Sequence, residues 1–297
     1  MSQPIEKRSA IRPFAAAHSR LLIWLGLGAL VAAVLAVVLL REQLIDWDRI
    51  EIDAQRSRRS EQAGRGLRLP GTPDLESLPA RLADKGLALG APVFIRIFKL
   101  EFELELWMRR GDRFERFAVY PICRWSGQLG PKLVEGDSQA PEGFYVVDAK
   151  ALNAASRWHR SFNLGFPNAF DRAHGRTGSF VMVHGGCASV GCFAMTDPVI
   201  DELWRLVTAA LRSGQERFQV HVFPFRMTEE NLARRAKHSW AAFWAELKRG
   251  YDAFEMTHIP PQIGVCAGRY AVAPAPAGSH VGHEIANSCI NLTGNKG

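Results

Sequence analysis

The residues with the most evident chemical capacity lie in one segment, His184 to Asp197, reading HGGCASVGCFAMTD. A histidine ends the apolar run SFVMV, and Cys192 follows among small residues. Thiol catalysis needs a thiolate, a base to generate it, and backbone N–H groups to hold an oxyanion. Cys192 and His184 supply the first two residue types. Gly185, Gly186, Ala188 and Gly191 let the backbone approach a bound molecule closely. Asp197 reads as a helix cap. If the helix after it aimed its N-terminus at Cys192, the dipole would lower the thiol pKa.

Local chemistry alone leaves three readings open. Cys192 is a nucleophile with His184 as its base. Alternatively the segment is structural, with Cys192 buried as a small apolar side chain or paired with Cys187. In the third reading His184, Cys187 and Cys192 ligate zinc, although three ligands at this spacing make no standard site. The chain has five cysteines. An odd count leaves at least one unpaired, and the pairing stays open between Cys123, Cys187, Cys192, Cys266 and Cys289.

The elements that must position these residues are legible upstream and downstream. VFIRIFK, ELELWMRR and RFERFAVYPI alternate apolar and polar residues, with a turn at Arg110-Gly111-Asp112, and predict an antiparallel meander. Two long Gly- and Pro-containing loops follow, SGQLGPKLVEGDSQAPEGFY and FNLGFPNAFDRAHGRTG, of the kind that carries binding sites. In the first, Glu135, Asp137 and Glu142 read as turn-stabilising. After Asp197 and Pro198, one helix face holds Ile200, Leu203, Leu206, Val207, Ala210 and Leu211, and Gly214 closes it. RFQVHVFPF is a further strand. Thr228 then caps a helical stretch with Leu232, Ala236, Trp240, Phe243 and Leu247 on one face, to be packed on the sheet. These patterns give an α+β class, a mainly antiparallel or mixed β core with flanking helices.

Of the 297 residues, 47% are hydrophobic, enough for a sizeable core. The net charge of +7 is a moderate excess without a long basic run. It suits an anionic polymer or a lipid surface, and equally a solvated face. The run Leu21–Leu40 is unbroken and apolar. At about 1.5 Å per residue it matches the ~30 Å hydrocarbon core of a bilayer. Lys7, Arg8, Arg12 and Arg20 precede it, and acidic residues dominate the stretch after it, so the N-terminus is expected in the cytoplasm and the rest outside. The run lacks small residues at its end, which favours an uncleaved anchor over a signal peptide. The expected organisation is 1–20 cytoplasmic, 21–40 transmembrane, 41–91 a juxtamembrane stem with the polar linker RSRRSEQAGRG, 92–226 catalytic, 227–272 a helical extension, and 273–297 a disordered tail.

His184-Gly185 with Ser189-Val190-Gly191-Cys192 resembles the signature of the YkuD-type L,D-transpeptidase family, a His-Gly followed by Ser-x-Gly-Cys. The two long loops and HVFPFRMTEENL extend the resemblance, over roughly residues 92–270, to the branch called YafK-like. Most of the wider family has histidine two residues before the cysteine; here that position is Val190. The branch shares this feature, which places the base role wholly on His184. The resemblance implies a YkuD-like β-sandwich that needs neither metal nor other cofactor. It implies that Cys192 attacks the carbonyl on the L-centre of diaminopimelate in a peptidoglycan stem peptide. It further implies an oxyanion held near Gly191, His184 oriented by the Gly185 carbonyl, and Arg176, Lys132 and Ser189 facing substrate. An amine acceptor gives transpeptidation; water gives hydrolysis, such as the release of a peptidoglycan-linked lipoprotein. The partners expected are therefore diaminopimelate-containing stem peptides, a peptidoglycan-linked lipoprotein, and the inner membrane through the N-terminal helix, with the domain in the periplasm and no nucleic acid. A non-catalytic, membrane-tethered wall-binding module is the alternative of another class.

Overall fold

The structure, a computed structural model, describes residues 15–275 together with Ile285 and Cys289. It divides into two units, residues 1–50 and 51–297. In the first, α1 (Ala15–Leu44) is a single helix that contains Leu21–Leu40. Its described side chains, residues 23–37, are exposed. Among the described residues no helix is long and apolar enough to cross a membrane. The two ends of the expected anchor, 21–22 and 38–40, fall outside the described side chains, and most of the expected cytoplasmic segment lies outside the described residues.

The second unit differs at once from the linker expected around RSRRSEQAGRG. All but its last two residues form the latter part of a helix, α2 (Trp47–Gly64). The helix has no broad apolar stripe, so periodicity gives no sign of it. Its contacts run through one buried aliphatic residue, Ile52, and through arginines. Arg56 donates to the carbonyls of Trp125 at 2.9 Å and Gly127 at 2.8 Å, and Arg59 donates to that of Ile122 at 3.3 Å. Arginine stems can bury against a domain while their heads satisfy its carbonyls.

A short helix, α3 (Leu78–Asp84), leads into two five-stranded sheets. The first has the order β3 (Arg113–Pro121), β2 (Glu103–Arg110), β1 (Val93–Phe98), β10 (Arg217–Phe223), β5 (Gly143–Asp148). The meander β1–β2–β3 is antiparallel, and β1 runs parallel to β10. The second has the order β4 (Arg124–Trp125), β9 (Phe193–Ala194), β8 (Met182–His184), β7 (His159–Asn163), β6 (Leu152–Ser156). One apolar core joins them, with Ile95, Phe144, Phe162, Val183, Phe193 and Phe218 all buried. The architecture is α+β, with helices flanking a β core.

Between β7 and β8 lies α4 (Ala169–Ala173), and after β9 lies α5 (Asp197–Arg212). The buried face of α5 includes Ile200, Leu203, Leu206, Val207 and Ala210. The helical stretch expected after Thr228 is broken into α6 (Glu229–Arg234) and α7 (Ala241–Thr257). The break lets Trp240 lie on Gly130, where an added Cβ would stand 2.5 Å from the indole nitrogen. Phe243, Trp244 and Leu247 of α7 are buried. The C-terminal extension is not all helical: a hairpin, β11 (Gln262–Cys266) and β12 (Arg269–Ala273), follows α7. Most of the tail expected to be disordered, 273–297, falls outside the described residues; of those described, Ala273 ends β12, Ile285 is buried and Cys289 is bonded to Cys266.

Candidate active site

The site is built on an unusual connection. Strands β8 and β9 run parallel, with Val183 beside Phe193 and His184 beside Ala194. Parallel neighbours ordinarily need a crossover of about a dozen residues or more. Here residues 185–192 alone make it, which explains their composition. Gly186 and Gly191 take left-handed conformations, at φ +70° and +97°, which cost a side-chain-bearing residue strain. Gly185 is confined by space: a Cβ there would lie 2.7 Å from Asp197 Oδ1 and 2.9 Å from Ile200 Cγ2.

The same register sets the reactive pair. One step back from Phe193, Cys192 falls beside Met182, whose N–H donates to Sγ at 3.4 Å. The thiol in turn donates to the Phe180 carbonyl at 3.6 Å. Met182 and His184 project to one face of the sheet, so Cys192 and His184 share that face, one diagonal step apart. His184 is buried, and its Nδ1 stands 2.6 Å from the Gly185 carbonyl. A carbonyl only accepts, so Nδ1 carries the proton and Nε2 of the neutral ring is left as the basic nitrogen. The Trp158 ring lies 5.9 Å from the imidazole.

Burial pushes the Cys192 thiol up from its ordinary value of 9.0; the Met182 N–H and the charge of Lys132 draw it back only in part. Burial also lowers the His184 imidazole below 6.5, against a smaller upward pull from its bond to Gly185. The two shifts keep both groups neutral at rest. Both shifts favour a neutral thiol and a neutral imidazole over a standing thiolate–imidazolium pair. Asp197 is not the cap: Thr196 takes that position without a side-chain bond, and the Asp197 carboxylate reaches back to accept from the Gly186 N–H at 2.7 Å.

The loop around Cys192 is held by hydroxyls. Ser189 Oγ donates to the Cys192 carbonyl at 2.7 Å and accepts from the Cys192 N–H at 3.2 Å. Ser126 Oγ accepts from the Gly191 N–H and lies 3.1 Å from Ser189 Oγ. Both N–H groups that an oxyanion would use at Gly191 and Cys192 are thus engaged. Ser189 is spent within the loop in this state, and Gly191 shapes it. The charged residues expected to face substrate also have partners in this chain. Arg176 is a buried guanidinium paired with Asp171 at 2.8 Å and stacked against Phe170 and Phe243. Lys132 is buried, donates to the Val134 carbonyl at 2.9 Å and pairs with Asp137.

Glu142 is structural. It is fully buried, pairs with the fully buried Lys99 at 3.0 Å, and accepts from the Gly130 N–H and the Trp244 indole. Lys99 also donates to the carbonyls of Gln128, Gly130 and Ala140. One ammonium therefore gathers the first long loop. Ser126, Asp197, Trp158 and Phe180 escape sequence reasoning; Asp197 is visible only as a helix-start residue, and nothing in the sequence links Ser126 to Cys192.

Cysteine pairing bears on two of the local alternatives, a Cys187–Cys192 disulfide and a zinc site that uses Cys187. Cys123 is bonded to Cys187 and Cys266 to Cys289, and Cys192 is free. With its sulfur in a disulfide, Cys187 neither pairs with Cys192 nor serves as a thiolate ligand. Among the described residues no group of three or more His, Cys, Asp or Glu is placed to hold a metal ion.

A free thiol and an oriented histidine thus stand at the two ends of the glycine-rich loop that joins β8 to β9. Residues 103–222 match the YkuD L,D-transpeptidase catalytic domain. The chain is 48% identical, over 185 residues, to YafK of Escherichia coli K12, provisionally named an L,D-transpeptidase, covering 62% of this chain and 75% of that one. YafK of E. coli O157:H7 matches to the same extent. The chain belongs to the YkuD family of L,D-transpeptidase catalytic domains, a family of transferase-type enzymes. Among solved structures it is similar to the helical cell shape determining protein Pgp2 of Campylobacter jejuni, at 17% identity and TM-score 0.37, covering 59% of this chain and 63% of that one. It is also similar to Bd1075 of Bdellovibrio bacteriovorus, at 20% identity and TM-score 0.32, covering 55% and 60%.

Proposed function

We propose that the protein is a cysteine-dependent acyl transferase acting on peptidoglycan stem peptides. The observation that carries this reading is the placement of the free Cys192 thiol on the same sheet face as His184, whose Nδ1 is fixed and whose Nε2 is left basic. Family membership supports activity on the cell wall.

In the proposed reaction Cys192 Sγ attacks the carbonyl on the L-centre of diaminopimelate, and His184 Nε2 takes the thiol proton. Because the resting thiol is neutral, proton transfer accompanies attack. The tetrahedral intermediate collapses by passing that proton to the leaving amine, and a thioester on Cys192 remains. His184 then accepts a proton from the incoming amine, and the thiolate leaves as the new amide forms. In the resting state the Ser126 and Ser189 hydroxyls hold the N–H groups of Gly191 and Cys192. Water in place of the amine gives hydrolysis by the same steps, including release of a wall-linked lipoprotein.

We also propose that Leu21–Leu40 anchors the chain in the inner membrane with residues 51–297 in the periplasm. The apolar length of the run and the basic residues before it support this. Two disulfides suit an oxidising compartment.

The test is to incubate the purified protein with tetrapeptide muropeptides and, separately, with lipoprotein-linked muropeptides, and to read products by mass spectrometry. Cross-linked or amine-exchanged products support transfer. Released lipoprotein remnant without any dimer overturns transfer in favour of hydrolysis, and no product from either substrate overturns both.

A further inference from the structure

The four residues Cys123 to Ser126 hold the nucleophile loop and the strand it enters at several points. Cys123 is bonded to Cys187, and its N–H donates to the Ala194 carbonyl at 2.9 Å. Arg124 and Trp125 form β4 and pair with Ala194 and Phe193. Ser126 reaches Gly191 and Ser189. The strip is itself fastened from the far side, where Arg56 of α2 donates to the Trp125 carbonyl.

The proton arrangement around Ser126 follows from counting. Ser189 has one hydroxyl proton, and it is given to the Cys192 carbonyl. At the 3.1 Å contact between the two serines, Ser126 must therefore be the donor. The Ser126 oxygen meanwhile accepts from the Gly191 N–H. The chain runs Gly191 N–H to Ser126, Ser126 O–H to Ser189, and Ser189 O–H to the Cys192 carbonyl. It closes when the Cys192 N–H donates back to Ser189. This ring encloses the Gly191–Cys192 peptide. It holds Gly191 at φ +97° and fixes the direction in which Cys192 leaves the backbone.

We infer that Ser126 is a positioning residue for the nucleophile, acting through Gly191 and Ser189 to aim the Cys192 thiol at the Met182 N–H and the His184 side of the sheet. It touches no reacting atom. Without its hydroxyl the Gly191 N–H loses its acceptor and the Ser189 hydroxyl loses its donor. The peptide is then free to rotate, and small displacements of a reacting group can cost up to about 100-fold in rate. The opposite role, a plug that blocks the N–H groups against an oxyanion, predicts the opposite sign.

This inference rests on the acyl-transfer reading, and the experiment separates the two. Ser126→Ala and Ser126→Thr are prepared in the full chain and compared with the natural protein for muropeptide turnover, melting temperature, and Cys192 alkylation by iodoacetamide at neutral pH, followed by intact mass. With Ser126→Ala we expect kcat to fall roughly tenfold or more, with KM changed less than about threefold. Alkylation should slow about threefold or more as the Met182 N–H contact to the thiol loosens. Ser126→Thr, which keeps a hydroxyl, should restore most of both. Unchanged or faster turnover in Ser126→Ala overturns the inference, as does a failure of Ser126→Thr to rescue when it is folded. If the natural protein turns over no muropeptide, the acyl-transfer reading fails, and the alkylation rates still decide the role of Ser126: equal rates in all three proteins overturn it.

Discussion

The carboxylate of Asp197 accepts a hydrogen bond from the backbone N–H of Gly186 at 2.7 Å, which ties the first residue of α5 to the loop that links His184 to Cys192. The helix is seated in the core along one face, so its first turn is a fixed post. Gly186 is pinned to it while in a left-handed conformation, and Gly185 just before it has no room for a side chain. Asp197→Ala should therefore lower kcat by roughly tenfold while costing only about 1 kcal/mol of stability, since the residue is exposed. Steady-state kinetics alongside thermal melting check this; a large loss of stability with unchanged kcat would show a structural tie only.

The neutral resting pair has a pH consequence. The base must be unprotonated, and burial lowers the His184 pKa below 6.5. The acid limb of kcat/KM should thus have its midpoint below that value, with full activity retained at neutral pH. Because the folded pKa is depressed, the neutral imidazole is favoured in the fold. Stability from this group is present above 6.5 and is lost as pH falls below it. The Cys192 thiol is raised above 9.0, so its alkylation should climb through the alkaline range. A thiolate titrating near neutrality, followed by its ultraviolet absorbance, would contradict the neutral-pair description.

The Cys123–Cys187 disulfide closes a span with a sequence separation of 64 and enters the nucleophile loop directly. Replacing both cysteines by serine should cost about 4 kcal/mol by the loop-closure argument. It should also reduce turnover by roughly tenfold under conditions where the protein remains folded. Activity of the natural protein should fall in the same way under reductant. Activity that survives reduction, with free thiols at both positions verified by mass, would show that β4 and Ser126 suffice to hold the loop.

Much of the scaffold is legible in the sequence because its signals are local. The β1–β2–β3 meander and the buried face of α5 follow from periodicity alone, and the short glycine-rich spacing between His184 and Cys192 marks the site. What escapes depends on contacts distant in sequence. The α2 helix is read as a linker because its anchors are arginine side chains seeking carbonyls, which no hydropathy pattern records. The β11–β12 hairpin is hidden in a segment read as helical. Arg176 and Lys132 look like free cations in sequence, but Asp171 and Asp137 are folded against them. Ser126 is separated from Gly191 by 65 residues, and only the short β4–β9 ladder brings them together.

Away from the site, Glu105 is fully buried among Arg96, Arg116 and Arg226. Burial pushes its carboxyl up, but the Arg96 charge and the hydrogen bonds from Arg226 and Trp107 outweigh it and hold the group at about 2, against 4.5 unperturbed. The folded pKa is depressed, so this carboxylate contributes stability above 4.5 that is lost as pH falls towards 2. The difference corresponds to about 3 kcal/mol. Urea unfolding of the natural protein and of Glu105→Gln across that range should show the variant less stable near neutrality and the gap closing as acid is added. A gap independent of pH would assign the effect to packing.

The central claim is that Cys192 carries the acyl group. Incubating the protein with a tetrapeptide muropeptide, quenching in acid and measuring intact mass tests it most directly. The account predicts an adduct with the mass of the donor minus its leaving residue, mapped to Cys192, and loss of both adduct and product in Cys192→Ala. Product formed at the natural rate by Cys192→Ala would contradict it.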